Sequence, residues 1–458
     1  MNQRLRKKKL TALLGVLLAV GLYAGPAQAA ELPAADRQQA DSSAAGTAPR
    51  AAASGIMAAA AITRVYGDGE TAAAAAISYA QAIDPASLSL DSYRVPGKEI
   101  LAVSVQDAPL AADGSGAGNC VVLRFAHRNT VSAEALGKPP QTDAPKQPRT
   151  NGEAPMRSNR TAPDCSLTIL QVKPVRAMDG TVYPLAVTRT TQTSEPDLRG
   201  FQQYVYTDPA TGCQMPYSLY LPEGYDPAEK YPLLVFIPDA SANINFDKMP
   251  LVQGNGAVVW ASAAEQQKHP CIVLAEQYTQ DMVDQLGMMT TDANVWTKGL
   301  ELAKDLILDI RSRYAVDSNR IYGTGQSQGG MANIAISDRY PDLFAAQYLV
   351  ACQWNVGEMA ALKDKHLWIT VCEGDTKAYP AMNAAAALWQ KLGTRVASGH
   401  GWDSRAAAAE TVARVKQIES AQAPINYTTF AGGNHMYTWT FAYDIEPIRD
   451  WLFRQTKS

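Results

Sequence analysis

The sequence predicts an α/β domain with a mostly parallel sheet, preceded by a small all-β sandwich. Two changes of pattern along the chain support this division. From about residue 61 to 192, short segments rich in β-branched residues alternate with Gly, Asp and Pro turns, which is typical of antiparallel strands. From about residue 195, apolar runs alternate with helical patterns, which indicates buried parallel strands covered by helices. The 458 residues are enough for two such domains.

The composition is that of an ordinary globular chain. Hydrophobic residues make up 47% of the sequence, charged residues 19%, and the formal net charge is −3. Because no positive excess would attract phosphate groups, we expect no nucleic-acid partner. A small-molecule or polymer-linked substrate fits this charge balance better. The six cysteines and five histidines show no spacing typical of zinc ligands, so we predict no metal.

The first 29 residues have the three parts of a signal peptide. Arg4, Arg6 and Lys7 to Lys9 form a basic segment, residues 10–22 are apolar, and residues 27–29 provide a cleavage site of small residues. The apolar segment is shorter than the roughly 20 residues that a bilayer requires. We therefore expect a secreted or cell-surface protein with no integral membrane span in its mature form. Residues 30–60, rich in alanine and interrupted by Pro and Gly, are predicted to be a flexible linker.

The sandwich is predicted over residues 61–192. Its strand-like runs lie at 62–66, 100–105, 120–125, 167–175 and 182–187. A Pro-rich stretch at 128–164 holds almost no large apolar residues and is predicted to be a disordered insertion. Cys120 and Cys165 each open a strand-like run, so they are the best candidates for a disulfide in an exported chain.

The α/β domain is predicted over residues 195–458. Buried strands are expected at 233–237, 272–275, 320–323, 346–351, 367–372 and 427–430, and helices at 295–314, 328–339, 381–392 and 442–453. In sheets of this kind, the residues that bind ligands and carry out catalysis lie at the carboxyl ends of the strands.

One serine lies at a sharp turn between a predicted strand and a predicted helix. The segment Gly325–Gly329 reads G-x-S-x-G, with the strand before it and small residues opening the helix after it. This arrangement forces a serine into a strained, exposed conformation at the sheet edge, as in the nucleophile elbow of α/β-hydrolases. The sequence therefore predicts Ser327 as a nucleophile in an α/β-hydrolase domain.

A nucleophilic serine requires a base and an orienting carboxylate, which follow it in the chain in this fold. His435 is the predicted base because it follows the last predicted strand in a Gly-rich loop before the final helix. His400 is the alternative, although it more closely fits a surface turn. Asp375 is the predicted acid because it emerges just after the strand at 367–372. Asp403 and Glu373 are the second and third choices.

An oxyanion requires two preorganised donors. The backbone N–H of Gln328, directly after the nucleophile, is predicted to be one of them. The loop after the strand at 233–237 provides the other, at Ala240 or alternatively at Ser241. Pro238 has no N–H to donate.

Several stretches resemble bacterial esterases that carry an immunoglobulin-like domain ahead of an α/β-hydrolase domain, relatives of polyhydroxybutyrate depolymerases and feruloyl esterases. These stretches are 62–69 in the sandwich, 217–225 at the start of the hydrolase domain, and 432–439 around His435. The resemblance implies hydrolysis of carboxylic esters through an acyl-enzyme, without a cofactor. It also places the roles of nucleophile, acid and base on Ser327, Asp375 and His435.

The chain departs from that family in two places. Pro238-Asp239 stands where the family has His-Gly or His-Asp, which alters the oxyanion loop. Glu276-Gln277 replaces Pro-Gln after the next strand, so Gln277 is predicted to alter one wall of the substrate pocket. The other predicted walls are Trp354, Tyr437 and Trp439, which favour a neutral short-chain or aromatic ester.

Two other functions compete with the esterase. Serine peptidases related to prolyl oligopeptidase share the elbow and the order of the three residues, but they carry a large β-propeller for which this sandwich is too short. An inert wall-binding or carbohydrate-binding module is the second alternative. The presence of all three predicted catalytic residues argues against it.

Overall fold

A computed structural model describes residues 55–108, 117–129 and 160–457 of the chain. The predicted signal peptide, most of the predicted linker and the middle of the Pro-rich insertion lie outside these described residues. The described ranges form a β-sandwich followed by an α/β domain, which confirms the predicted fold class.

The described residues of the sandwich form ten strands. They are β1 (Ile56–Tyr66), β2 (Gly69–Tyr79), β3 (Tyr93–Arg94), β4 (Ile100–Gln106), β5 (Cys120–Phe125), β6 (Thr168–Gln171), β7 (Val175–Arg176), β8 (Val182–Tyr183), β9 (Ala186–Arg189) and β10 (Gln192–Ser194). One sheet has the order β10-β1-β2-β5-β4, a second has β3-β6-β9, and β7 pairs with β8. Apolar side chains such as Ile77, Val121 and Ile169 fill the space between the sheets.

The first strand begins within the segment that was predicted to be linker. β1 starts at Ile56 and includes three alanines of the predicted linker, at positions 58 to 60, which pair with Ser78, Ile77 and Ala76 of β2. Ala59 and Ala61 are buried while Ala58 is exposed. Alanine carries little strand propensity, so this segment is ordered by pairing and packing that its own composition does not reveal.

Cys120 and Cys165, the best candidates for a disulfide, are not bonded to each other. All six cysteines are free. Cys120 lies at the start of β5 in a small apolar cluster with Ile62 and Val122, whereas Cys165 packs at the margin of the main sandwich core. The two side chains therefore serve different apolar clusters, a separation that their spacing along the chain could not indicate.

The α/β domain contains nine strands in one sheet. They are β11 (Phe201–Thr207), β12 (Gln214–Tyr220), β13 (Tyr231–Ile237), β14 (Ile272–Glu276), β15 (Val316–Gln326), β16 (Ala346–Val350), β17 (His366–Cys372), β18 (Val396–Trp402) and β19 (Ile425–Phe430). The order is β11-β12-β14-β13-β15-β16-β17-β19-β18. The pairs β11–β12 and β12–β14 are antiparallel and the remaining pairs are parallel.

Nine α-helices accompany this sheet in the described residues. They are α1 (Met249–Val252), α2 (Ala263–Lys268), α3 (Gln280–Leu286), α4 (Lys298–Arg313), α5 (Gln328–Arg339), α6 (Ala378–Lys391), α7 (Ala408–Ser420), α8 (His435–Ala442) and α9 (Glu446–Phe453). Thr297 starts α4 by accepting a hydrogen bond from the Leu300 N–H at 3.1 Å. None of the described helices has both the length and the apolar character needed to cross a membrane.

The central strands are apolar on both faces because helices cover both sides of the sheet. Along β13, Leu233, Val235 and Ile237 face one core, which contains residues of α4, α5 and α6. Leu234 and Phe236 face the other core, which contains residues of α7, α8 and α9. The continuous apolar runs of the sequence follow from this double burial.

The sandwich contacts the α/β domain through the turn between β1 and β2. Val65 belongs to the same apolar cluster as Leu198 and Phe201, and its N–H donates to Asp197 Oδ2 at 2.8 Å. Gly67 approaches the backbone of α8 so closely that an added Cβ would lie 2.0 Å from the carbonyl oxygen of Thr440. This turn therefore supports the helix that carries His435.

We expect Gly67→Ala to destabilise the protein by about 1–3 kcal/mol, because the added methyl group meets rigid helix backbone rather than a movable side chain. Urea unfolding would measure the change in midpoint. Gly357→Ala is the matched control, since its added Cβ would lie 3.3 Å from its nearest neighbour, Asn355 Oδ1. Equal stability of the two variants would contradict the proposed support of α8.

Candidate active site

Ser327 lies on a strained turn between β15 and α5. Its backbone has φ 52° and ψ −118°, a conformation that costs a residue with a side chain about 1–3 kcal/mol. The Ser327 N–H donates to the Val350 carbonyl at 3.1 Å, which fixes the turn against β16. Gly329 is required next to it, because a Cβ there would lie 1.7 Å from the Ile237 carbonyl oxygen. The hydroxyl is thus held at the carboxyl edge of the sheet.

The His435 ring joins this serine to a buried carboxylate. Its Nε2 lies 2.8 Å from Ser327 Oγ, and its Nδ1 lies 2.5 Å from Asp375 Oδ2. His435 was expected in a loop before the final helix, but it is the first residue of a separate helix, α8. Asn434 caps that helix by accepting from the Tyr437 N–H at 2.9 Å. The cap fixes the backbone from which the imidazole projects.

The Asp375 carboxylate is held by three groups and is almost completely buried. In addition to His435, the N–H groups of Lys377 and Ala378 donate to Oδ1, each at 3.0 Å. Burial by itself raises the pKa of Asp375, but the hydrogen bond and charge of His435 and these N–H donors outweigh it and lower the pKa below 3.8. The carboxylate is therefore ionised at neutral pH. Its contribution to folding stability is complete above pH 3.8 and is lost only as the pH falls through the lowered value.

The loops that carry Asp375 and His435 are bonded to each other. The Glu373 N–H donates to the Phe430 carbonyl at 3.0 Å, and the Gly374 N–H donates to the Gly432 carbonyl at 3.1 Å. A Cβ at Gly374 would lie 2.0 Å from the Gly433 carbonyl oxygen, so the approach requires glycine there. This contact fixes the distance between acid and base independently of their side chains.

The alternative acids and base have other partners. The Glu373 carboxylate accepts from Thr429 Oγ1 at 2.8 Å, and Asp403 Oδ1 accepts from the Arg405 N–H at 2.9 Å. His400 lies within β18 rather than on the expected surface turn, with its ring edge-on to Tyr427. Its segment contains four small residues and was not predicted as a strand, because pairing with β19 rather than local propensity orders it.

The two predicted oxyanion donors both lie at helix starts. Gln328 is the first residue of α5, and Ala240 is the first residue of a single helical turn, Ala240–Ala242. The first N–H groups of a helix have no partner within it and point outward, so both positions suit an anion. The Ser241 N–H, the alternative donor, is already donated to Asp239 Oδ1 at 2.8 Å.

The four predicted pocket residues divide into two pairs. Trp439 lies edge-on to the His435 ring, with centroids 5.3 Å apart, and Trp354 donates to Glu358 Oε2 at 2.7 Å. The tryptophans expose 5% and 4% of their surface. Tyr437 and Gln277 expose none of their surface, so their role as pocket walls remains a prediction.

The positions of Tyr437 on α8 and of Gln277 beside the loop at 238–244 explain why these two side chains are buried. His435 and Trp439 are four residues apart and share one face of α8, whereas Tyr437 points into the core on another face. The side-chain nitrogen of Gln277 donates to the carbonyl oxygens of Ala242 and Ile244, at 2.8 Å and 2.9 Å. Gln277 therefore holds the loop that contains Ala240.

One group of residues outside this site has the spacing of metal ligands. The ligand atoms of Glu265, His269 and Asp450 lie within 4.8 Å of one another. Arg449 already donates to Glu265 Oε2 at 2.8 Å, and His269 Nε2 lies 2.9 Å from Asp450 Oδ1. The guanidinium supplies the positive charge that this carboxylate needs, so we interpret the group as an ion-pair network that joins α2 to α9.

Two family models match separate segments of the chain. Residues 58–184 match the esterase Ig-like N-terminal domain, and residues 305–458 match the prolyl oligopeptidase family. No curated protein matches the chain.

One solved structure shares the fold, and two others superpose with lower scores. A thermostable esterase superposes with a TM-score of 0.66 at 22% identity, over 88% of this chain and 100% of that one. A feruloyl esterase module from Clostridium thermocellum gives 0.40 at 14% identity, over 56% and 88% of the two chains. An acylaminoacyl peptidase from Pyrococcus horikoshii gives 0.41 at 11% identity, over 65% and 49%. The first of these likenesses extends across both the sandwich and the α/β domain.

Proposed function

We propose that this serine hydrolase, which joins an esterase-type immunoglobulin-like domain to an α/β-hydrolase domain, cleaves carboxylic esters through Ser327, His435 and Asp375. The continuous chain of hydrogen bonds from Asp375 through His435 to a serine on a strained elbow carries this proposal. Such a chain is the arrangement that activates a hydroxyl for attack on a carbonyl.

In the first step, Ser327 Oγ attacks the ester carbonyl while His435 Nε2 accepts the hydroxyl proton. The carboxylate of Asp375 stabilises the imidazolium and keeps the remaining Nδ1 proton directed toward itself. The N–H groups of Gln328 and Ala240 receive the negative charge that develops on the carbonyl oxygen. Collapse of this intermediate releases the alcohol, which takes the proton from His435, and leaves an acyl-Ser327. A water molecule then attacks the acyl group by the same steps in reverse.

The N-terminal sandwich favours an ester over a peptide bond as the bond that the protein cleaves. The match to an esterase Ig-like domain covers 58–184, and the sandwich there has none of the bulk of a propeller. The match to the prolyl oligopeptidase family makes peptidase activity the second candidate. Turnover of p-nitrophenyl acetate beside an aminoacyl p-nitroanilide tests the choice. Faster turnover of the anilide would reverse the proposal.

The proposed substrate is a neutral ester with a short acyl or aromatic group. Long acyl chains require an apolar lid, and the segment between β16 and β17 contains only one short helical turn, Glu358–Leu362. The helix α3 in the neighbouring loop has seven residues, and its Met282 and Val283 are buried in the core. Neither segment offers a free amphipathic helix to cover a long chain.

We therefore expect acetyl, butyryl or hydroxycinnamoyl esters to exceed palmitoyl esters in kcat/KM by at least about tenfold, or roughly 1.4 kcal/mol in transition-state binding. A series of p-nitrophenyl esters, with Ser327→Ala as the blank for spontaneous hydrolysis, measures this. Specificity constants that increase steadily with chain length would instead indicate a lipase.

Export is part of the proposal. It rests on the basic, apolar and small-residue segments at 4–29, which have the pattern of a secretory signal. An ester substrate outside the cytoplasm, free or attached to a polymer, is the corresponding partner.

A further inference from the structure

The two residues that flank the nucleophile are both glutamines, and both of their side chains bond to the oxyanion loop, residues 238–244. Gln326 Nε2 donates to Asp239 Oδ2 at 3.0 Å. The amide of Gln328 and that of Asn243 bond reciprocally, with N···O distances of 3.2 Å and 3.3 Å. The elbow and the oxyanion loop are thus joined by side chains on both sides of Ser327.

Asp239 transmits the first of these bonds to the backbone of the loop. Its Oδ2 accepts a hydrogen bond from Gln326 Nε2, while its Oδ1 accepts one from the Ser241 N–H at 2.8 Å. Its carbonyl accepts from the Ala242 N–H at 3.0 Å. Asp239 is therefore the cap of the single helical turn whose first N–H belongs to Ala240. A displacement of Asp239 would move that donor.

The far end of the same turn is also fixed. Asn243, bonded to Gln328, directly follows the turn, and Gln277 holds the carbonyl oxygens of Ala242 and Ile244. The exposed fractions are 5% for Asp239, 1% for Gln326, 3% for Gln328 and 1% for Asn243. Because these side chains are buried, water cannot replace a lost hydrogen bond. Its loss would either displace the loop or leave a buried polar group without a partner.

We propose that the side chains of Gln326 and Gln328 are positioning residues that set the Ala240 N–H against Ser327, and so complete the oxyanion hole. This inference rests on the proposed ester hydrolysis. One of the two donors, the Gln328 N–H, is built into the elbow, but the other lies in the oxyanion loop, whose Asn243 precedes Gln328 by 85 residues. The two glutamine side chains fix the distance between the donors before substrate arrives. An error of about 1 Å in such a distance can cost about a hundredfold in rate.

Gln326→Met and Gln328→Met test this inference, because methionine keeps the length of the side chain and removes its hydrogen bonds. We expect kcat for p-nitrophenyl acetate to fall about 10- to 100-fold with KM within about twofold, since the oxyanion forms only after binding. Phenylboronic acid, whose serine adduct places an anionic oxygen in the hole, should bind more weakly by the same factor as kcat/KM falls.

Two further variants separate positioning from general stability. Asn243→Ala removes the second bond from the loop side, so it should lower kcat as Gln328→Met does, and the double variant should lose little more. Gln266→Met is the matched control. It removes amide bonds to the Trp260 and Cys271 carbonyls at 2.8 Å and 3.2 Å, at the opposite side of the domain. We expect it to lower the melting temperature and leave kcat and boronate binding unchanged.

A substitution at Asp239 provides a rescue. Asp239→Asn keeps an acceptor for the Ser241 N–H, and the Gln326 amide can rotate to offer Oε1, which has no partner in the described residues, to the new amide. We expect this variant to keep kcat within about threefold, whereas Asp239→Ala should lose as much as Gln326→Met.

These variants distinguish failure of the positioning role from failure of the proposed ester hydrolysis. Full activity of Ser327→Ala in the same assay would refute ester hydrolysis by this site, whatever the glutamine variants do. An inactive Ser327→Ala together with Gln326→Met and Gln328→Met variants of normal kcat and boronate affinity would refute only the positioning role. Parallel loss of kcat and melting temperature in Gln266→Met would assign the effect to stability and overturn the inference as well.

Discussion

Ser327→Ala should lower kcat for ester hydrolysis by roughly 10⁵ to 10⁶ and leave the fold intact. The substitution removes the proposed nucleophile, the Oγ that lies 2.8 Å from His435 Nε2. Alanine fits the same turn, and because the loss is chemical, KM for any residual reaction should change little. Initial rates with p-nitrophenyl acetate measure the effect, and circular dichroism checks the fold.

Ser337→Ala is the matched control for this variant. Ser337 lies on the same helix as the elbow, is buried, and donates to Gln347 Oε1 at 2.9 Å, but it does not contact His435. We expect it to cost stability through the lost hydrogen bond and to leave kcat near that of the wild type. More than about a tenth of wild-type activity in Ser327→Ala would exclude Ser327 as the nucleophile.

Asp375→Asn should lower kcat by roughly 10³ to 10⁴. An asparagine keeps the Oδ1 acceptor for the N–H groups of Lys377 and Ala378, so the start of α6 should remain in place. At the other position it presents an N–H₂ donor to His435 Nδ1. The imidazole then carries its proton on Nε2 and can no longer accept one from Ser327. The rate should therefore fall at neutral pH and recover in part as hydroxide increases.

Two neighbouring carboxylates provide the controls for this variant. Glu373→Gln and Asp403→Asn remove charge near the same loops, but those carboxyl groups bond to Thr429 and to the Arg405 N–H rather than to His435. We expect both variants to keep kcat within about an order of magnitude of the wild type. If Asp403→Asn lost the larger share of activity, Asp375 would not be the orienting acid.

The alternation of apolar runs and helical patterns was sufficient to predict the α/β domain. Strands such as β13 and β17 are buried on both faces, and this double burial makes their sequence continuously apolar and easy to recognise. The boundaries of α5 were predicted to the residue, because the elbow fixes its start and Pro341 follows its end. β18, with its small residues at the sheet edge, gave no such local signal.

The chain order of nucleophile, acid and base, together with the strand ends, pointed to Ser327, Asp375 and His435, and the structure brings these side chains into contact. Sequence reasoning worked there because each position depends on local geometry. A glycine-flanked turn and a strand end are both readable over a few residues.

The surroundings of these residues depended on packing between distant segments. Tyr437 is an aromatic residue of the kind that lines pockets, but its position on α8 directs its side chain into the core. Gln277 was predicted to line the pocket, and its side-chain amide donates hydrogen bonds to two carbonyl oxygens of the oxyanion loop. Cys120 and Cys165, the best candidates for a disulfide, lie in separate apolar clusters.

The sequence by itself therefore determined the fold class and the identity of the three candidate catalytic residues, because periodicity and turn chemistry are local. Only the tertiary structure decided which side chains support them. The partners of Gln326 and Gln328 lie more than 80 residues earlier in the chain. A glutamine beside an elbow carries no local mark of its hydrogen-bond partner. The partner is fixed by the packing of β13 against β15, which brings the two loops to one edge of the sheet.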